Sequence, residues 1–167
     1  MSGEIAARLL RRFSAFATGL GLLAASGATN AQEVASWPIP DEIYGAIQSG
    51  EEEQDPNRKN DIFTALVRDA DAESARCLAA HPEGAACTRI LQIRAFASFE
   101  TRLPPDQVEA RFDDALGALE THLGRLDEDT LFLLRYFAVF QQKNGNHARA
   151  EDLFREVIVR YDALGSP

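Results

Sequence analysis

Apolar residues recur at helical spacing along most of this chain, and no stretch reads as a strand. Ile62, Phe63, Leu66, Val67, Ala70, Cys77 and Leu78 predict a helix that opens at Asn60 or Asp61 and runs to about residue 80. His81-Pro82-Glu83-Gly84 breaks it. Residues 86–101 form the next helix, apolar almost all round, which marks it as central. After Pro104-Pro105, residues 106–123 place Val108, Phe112, Ala115, Leu116, Leu119 and Leu123 on one stripe, and Gly124 closes the helix. Asp127 caps a helix from 128 to 143 that shows little polar surface before Gln141, so neighbours are expected on both sides of it. Gly145 ends it and Asn146 caps the last helix, whose stripe reads Ala150, Leu153, Phe154, Val157, Ile158, Tyr161 and Leu164. The pattern predicts an all-α fold of five or six helices, stacked as antiparallel hairpins without a sheet.

The part before residue 61 is different. Pro38 and Pro40 bracket an extended segment that holds Trp37, a candidate docking arm, and Asp41 caps a short helix over 41–48. Residues 49–60, SGEEEQDPNRKN, are polar throughout and read as a solvated linker, which leaves 61–167 as the helical domain. The three consecutive acids Glu51, Glu52 and Glu53 lack the alternation of a calcium loop.

The first 31 residues have the three parts of a secretory signal. Arg8, Arg11 and Arg12 precede an apolar run, FSAFATGLGLLAASGA, and small residues follow at Thr29 and Ala31. Cleavage after Ala31, or else after Ala28, exports the remainder; the competing reading is an anchor, for which the run is short against the roughly 20 residues of a spanning helix. Cleavage at Ala31 removes three arginines and one glutamate, which leaves 14 basic and 25 acidic residues and a net charge of −11. Such a surface repels phosphate backbones, so nucleic acid is excluded as a partner and a cationic protein segment is favoured.

Both cysteines, Cys77 and Cys87, lie in the exported part. They flank the break at 81–84, about one turn to each side, where an antiparallel hairpin brings its two helices within disulfide reach. The alternatives are a redox pair or a metal site, but nine intervening residues match neither spacing.

The last two helices carry a resemblance. Leu134, Phe137, Ala138 and Gln141, then Ala150, Phe154 and Val157, fall on the positions of a tetratricopeptide repeat, a helical hairpin of 34 residues. Ala150 and Phe154 form its packing signature: a small residue lets the helices close, and an aromatic one turn on fills the space beside it. Gln141 departs from the aromatic of the pattern, and Asp162 stands where proline ends the repeat. AEDLFREVIVRY, residues 150–161, is also similar to repeats of exported bacterial envelope proteins. The resemblance covers one repeat, about residues 131–164; an ordinary helical bundle is the alternative.

His81, His122 and His147 form no metal-binding spacing, and no nucleophile elbow or phosphate loop is present. The expectation is a non-catalytic protein with no metal and no cofactor. If the resemblance holds, the first helix of each hairpin lines the binding face, which makes Gln92, Arg94 and Arg135 the candidate contacts. The expected function is a periplasmic, or otherwise exported, module of the bacterial cell envelope that binds a protein or peptide. The alternative is an accessory subunit docked on a membrane complex.

Overall fold

Six α-helices follow one another through the described residues, 36–165, of the computed structural model, with no strand among them. They are α1 (Asp41–Glu52), α2 (Pro56–Ala80), α3 (Thr88–Phe99, entered through a 3-10 turn at Ala85–Cys87), α4 (Pro105–His122), α5 (Glu128–Lys143) and α6 (His147–Ala163). The leader of residues 1–31 and its cleavage point lie outside the described residues. Helices adjacent in sequence pack on each other, and α3 also touches α5, so the chain stacks as the hairpins α1/α2, α3/α4 and α5/α6. The all-α, hairpin-stacked fold is the one the apolar pattern predicts. No described helix is long and apolar enough to cross a membrane.

One continuous core runs through the stack. Phe63 and Phe96 meet edge-to-face at 6.3 Å, and Phe112 stacks on Phe137 at 5.1 Å. α3 is buried almost all round, as its composition demands, and α5 is covered by α4 on one side and α6 on the other. At the α5/α6 turn Gly145 takes φ +79°, and the Asn146 and Gly145 amides donate to the carbonyls of Gln141 and Gln142, closing the helix as a Schellman motif.

Three expectations need correction. The polar stretch 49–60 is no linker: α1 runs on to Glu52 and α2 starts at Pro56, which leaves only residues 53–55 between them. Gly50 does not break α1 because it is buried against Phe63; a Cβ there would lie 2.6 Å from that ring. Pro56 opens a helix, since Asp55 accepts from the amides of Asn57 and Arg58 and proline suits the first turn. Asn146 does not cap α6 with its side chain, which instead donates to Gln141 Oε1 at 2.7 Å. In the α6 stripe, Ala150, Leu153 and Val157 are buried, but Ile158, Tyr161 and Leu164 are exposed because α6 is the last helix of the stack.

Candidate functional site

The proline-bracketed segment before α1 is not a free arm. The Trp37 amide donates to the Ala86 carbonyl at 3.0 Å, and the indole Nε1 donates to Glu73 Oε1 at 2.5 Å. The ring also meets His81 edge-on at 5.8 Å. The segment therefore lies across the α2/α3 turn, the turn that Cys77 and Cys87 join as a disulfide with a Cα–Cα distance of 5.8 Å.

Held there, Trp37 forms one wall of a cavity of about 250 Å³. Ile39 and Tyr44 continue that wall, Leu119 on α4 and Leu123 just after it close it, and Gln92 and the Arg89–Asp129 ion pair, 3.2 Å long, provide the polar side. α1, α3 and α5, the first helices of the three hairpins, all contribute. Gln92 is the feature that sets the chemistry. Its side chain is 3% exposed; its oxygen faces Arg89 Nη1 at 3.5 Å, and its Nε2 has no hydrogen-bond partner.

The same face continues along the α3/α5 seam. Gln92, Phe96 and Phe99 follow at intervals of four and three on α3, and Asp129, Phe132 and Tyr136 at three and four on α5, so each set shares one side of its helix. Tyr136 gathers the aromatics, with ring centroids 4.7 Å from Phe132, 5.4 Å from Phe96 and 5.7 Å from Phe99. Phe99, Phe132 and Tyr136 are half-buried, and Lys143 Nζ sits 4.1 Å from the Phe99 centroid. Burial pushes the Tyr136 phenol up to about 12, with the nearby Glu51 and Glu100 carboxylates adding to the shift and Arg135 opposing it. Burial also raises Glu51, against the pull of Lys59 and with a further push from Glu100.

The three residues named from the sequence do not form one site. Gln92 lies in the cavity. Arg94, two residues on, points to the other side of α3, where it pairs with Asp114 at 2.7 Å and Asp71 at 3.8 Å. Arg135 is exposed on α5 beside the strip and does not line the cavity. Of the packing signature, Ala150 is buried and Phe154 half-buried. Gln141, the residue that departs from the tetratricopeptide pattern, is fully buried: its Nε2 donates to Glu109 at 2.9 Å and its oxygen accepts from Asn146. A polar link to α4 thus stands where the repeat pattern has an aromatic ring.

Among the described residues no group of His, Cys, Asp or Glu is arranged to hold a metal ion. No family model, curated protein or solved structure matches the chain.

Proposed function

We propose that the protein is an exported, non-catalytic module of the bacterial cell envelope, with tetratricopeptide-like packing of its last hairpin, that binds a segment of another protein along the face shared by α1, α3 and α5. One observation carries this reading: three sequence-distant first helices converge on a partly apolar cavity that contains a buried, unpartnered amide donor. A half-buried aromatic strip extends the same face, and large half-buried aromatics are the residue type that dominates binding energy at protein interfaces. The test is a photo-reactive amino acid at position 132, activated in cells that make the protein, with mass spectrometry of the products. Crosslinks to one or a few envelope proteins are expected, and abolished crosslinking in a Trp37→Ala background would tie them to this face. A face that captures nothing in the cell excludes the reading.

A second reading, a subunit docked on a membrane complex, has its own observation. The outer side of α6 exposes Ile158 at 59% and Val159 at 61%, with Tyr161 and Leu164 nearby. Docking through that end predicts that the protein migrates with a large assembly and that Ile158→Lys releases it. A wild-type monomer in gently solubilised envelopes decides against it.

A further inference from the structure

We propose that two copies of this chain associate through α6, the two helices lying antiparallel across a two-fold axis. The inference does not rest on the module reading, since no residue of α6 lines the cavity between α1, α3 and α5. It gives to a second copy the surface that the docked-subunit reading assigns to a membrane complex.

The outer side of α6 supplies the pattern. Ala150, Leu153 and Val157 bury the inner side, where α5 is the neighbour. On the opposite side Arg155, Ile158, Val159 and Asp162 stand at i, i+3, i+4 and i+7, so the four share one stripe, and all four are exposed. Ile158 and Val159 are the most exposed large apolar side chains among the described residues. An exposed apolar patch with a charged rim marks an interaction site. On the Val159 flank the apolar surface continues into a groove that Leu126 and Ala163 also line.

The order of the charges decides the occupant. Along the helix the stripe reads cation, two apolar residues, anion, and its midpoint falls between Ile158 and Val159. A two-fold axis through that midpoint reverses the second helix. Arg155 of each copy then lies level with Asp162 of the other, about 5 Å along the helix from the axis at 1.5 Å per residue. Two opposite-charge pairs form at once, and Ile158 and Val159 pack between them against their counterparts, as a self-complementary two-fold interface requires. A parallel pairing in register would instead oppose like charges at both positions.

Both charges are free to make these pairs. Asp162 has no ion-pair partner among the described residues. Arg155 reaches Glu151 at 2.7 Å and Asp152 at 3.3 Å, but all three side chains are largely exposed, and exposed pairs of this kind contribute little. Glu151 and Asp152 lie three to four residues farther from the axis than Arg155, so Arg155 is the charge that Asp162 of the second copy meets first.

The size of the contact sets its strength. α6 has 17 residues and is about 25 Å long, so one helix pair buries less than the roughly 1,600 Å² of a standard interface. Each copy also carries a net charge of −9, which opposes association. A weak dimer follows, one that populates between about 10 μM and 1 mM.

Sedimentation equilibrium over that range, on protein produced from its full-length coding sequence with its disulfide intact, is expected to show a reversible monomer–dimer equilibrium. Arg155→Glu and Asp162→Arg each set like charges across both pairs and should weaken the dimer at least about tenfold. An equal mixture of these two variants should dimerise again, because the introduced glutamate of one faces the introduced arginine of the other while the second pair is native. That recovery also shows that both variants are folded. A wild-type monomer up to 1 mM overturns the proposal and leaves the face to another partner. It is overturned equally by single charge variants that associate as wild type does, or by a mixture that stays monomeric.

Discussion

Trp37 Nε1 donates to Glu73 Oε1 at 2.5 Å, joining residues 36 positions apart. Glu73 is 4% exposed and has one other partner on α2, the Arg76 guanidinium. The pair thereby fixes the segment that walls the cavity to the helix that carries one end of the disulfide.

Trp37→Phe keeps an aromatic ring and removes the donor, so a buried carboxylate loses one of its two partners. Hydrogen bonds to charged groups contribute about 1.5–3 kcal/mol, and a loss of that size is expected in urea unfolding. A double-mutant cycle with Glu73→Met, which removes the acceptor, should return most of it as coupling energy between the two residues. Independent, additive losses would show that the indole only packs.

Opening the Cys77–Cys87 bond has a separate cost. It closes a ring of 11 residues, given a sequence separation of 10, and the chain-entropy model assigns such a ring about 2.8 kcal/mol. The Cys77→Ala/Cys87→Ala protein should be less stable by roughly that amount while it keeps its helical circular dichroism, because both sites lie in a continuous core. Alkylation of native protein without reductant should add no mass; two added labels would contradict a closed bond.

Much of this architecture is legible in the amino-acid pattern. Helix stripes such as Phe112, Ala115 and Leu119 depend on local spacing, and the positions of Cys77 and Cys87 around a Pro-Gly break already imply that they face each other. Where the reading failed, the deciding contact was long-range or a cap was read as a breaker. Gly50 looks like a helix breaker until Phe63 is packed on it, and Asp55-Pro56 is a cap followed by a first-turn proline. The α6 stripe is apolar on two sides, and no local rule says which side has a neighbour. The cavity was the least legible feature, since Trp37, Tyr44, Gln92 and Asp129 come from four separate segments; Trp37 ahead of two prolines and Gln92 on a largely buried helix were its sequence signals.

At the other end of the stack Arg160 is 6% exposed; its Nη2 donates to Glu120 and Glu156 and its Nη1 donates to the Arg125 carbonyl at 3.2 Å. Burial pushes the Glu156 carboxyl up, but hydrogen bonds and charge from Arg160 and Arg125 outweigh it, and the net shift is downward. A carboxyl with a depressed folded-state pKa binds fewer protons folded than unfolded. Its contribution is therefore complete above the ordinary glutamate value and is lost as the pH falls through the depressed one. Glu156→Gln should lower the urea midpoint at neutral pH, and the gap to wild type should close in acid. A gap independent of pH would mean that the side chain acts by packing alone.

Gln92 is a buried polar group whose cost unfolding can measure. Its Nε2 is buried without a partner and its oxygen has a single, long contact of 3.5 Å to Arg89. An unsatisfied buried polar group costs about 1–3 kcal/mol, while an apolar side chain of similar volume in its place costs little. Gln92→Leu is therefore expected to make the protein more stable, by about 1 kcal/mol after losing the weak Arg89 contact. Gln92→Glu should do the reverse, because it buries a second carboxylate beside Arg89, whose charge Asp129 already neutralises. Thermal and urea unfolding of the three proteins side by side give the order Leu above wild type above Glu. Were Gln92→Leu instead destabilising, the amide would be satisfied within the protein.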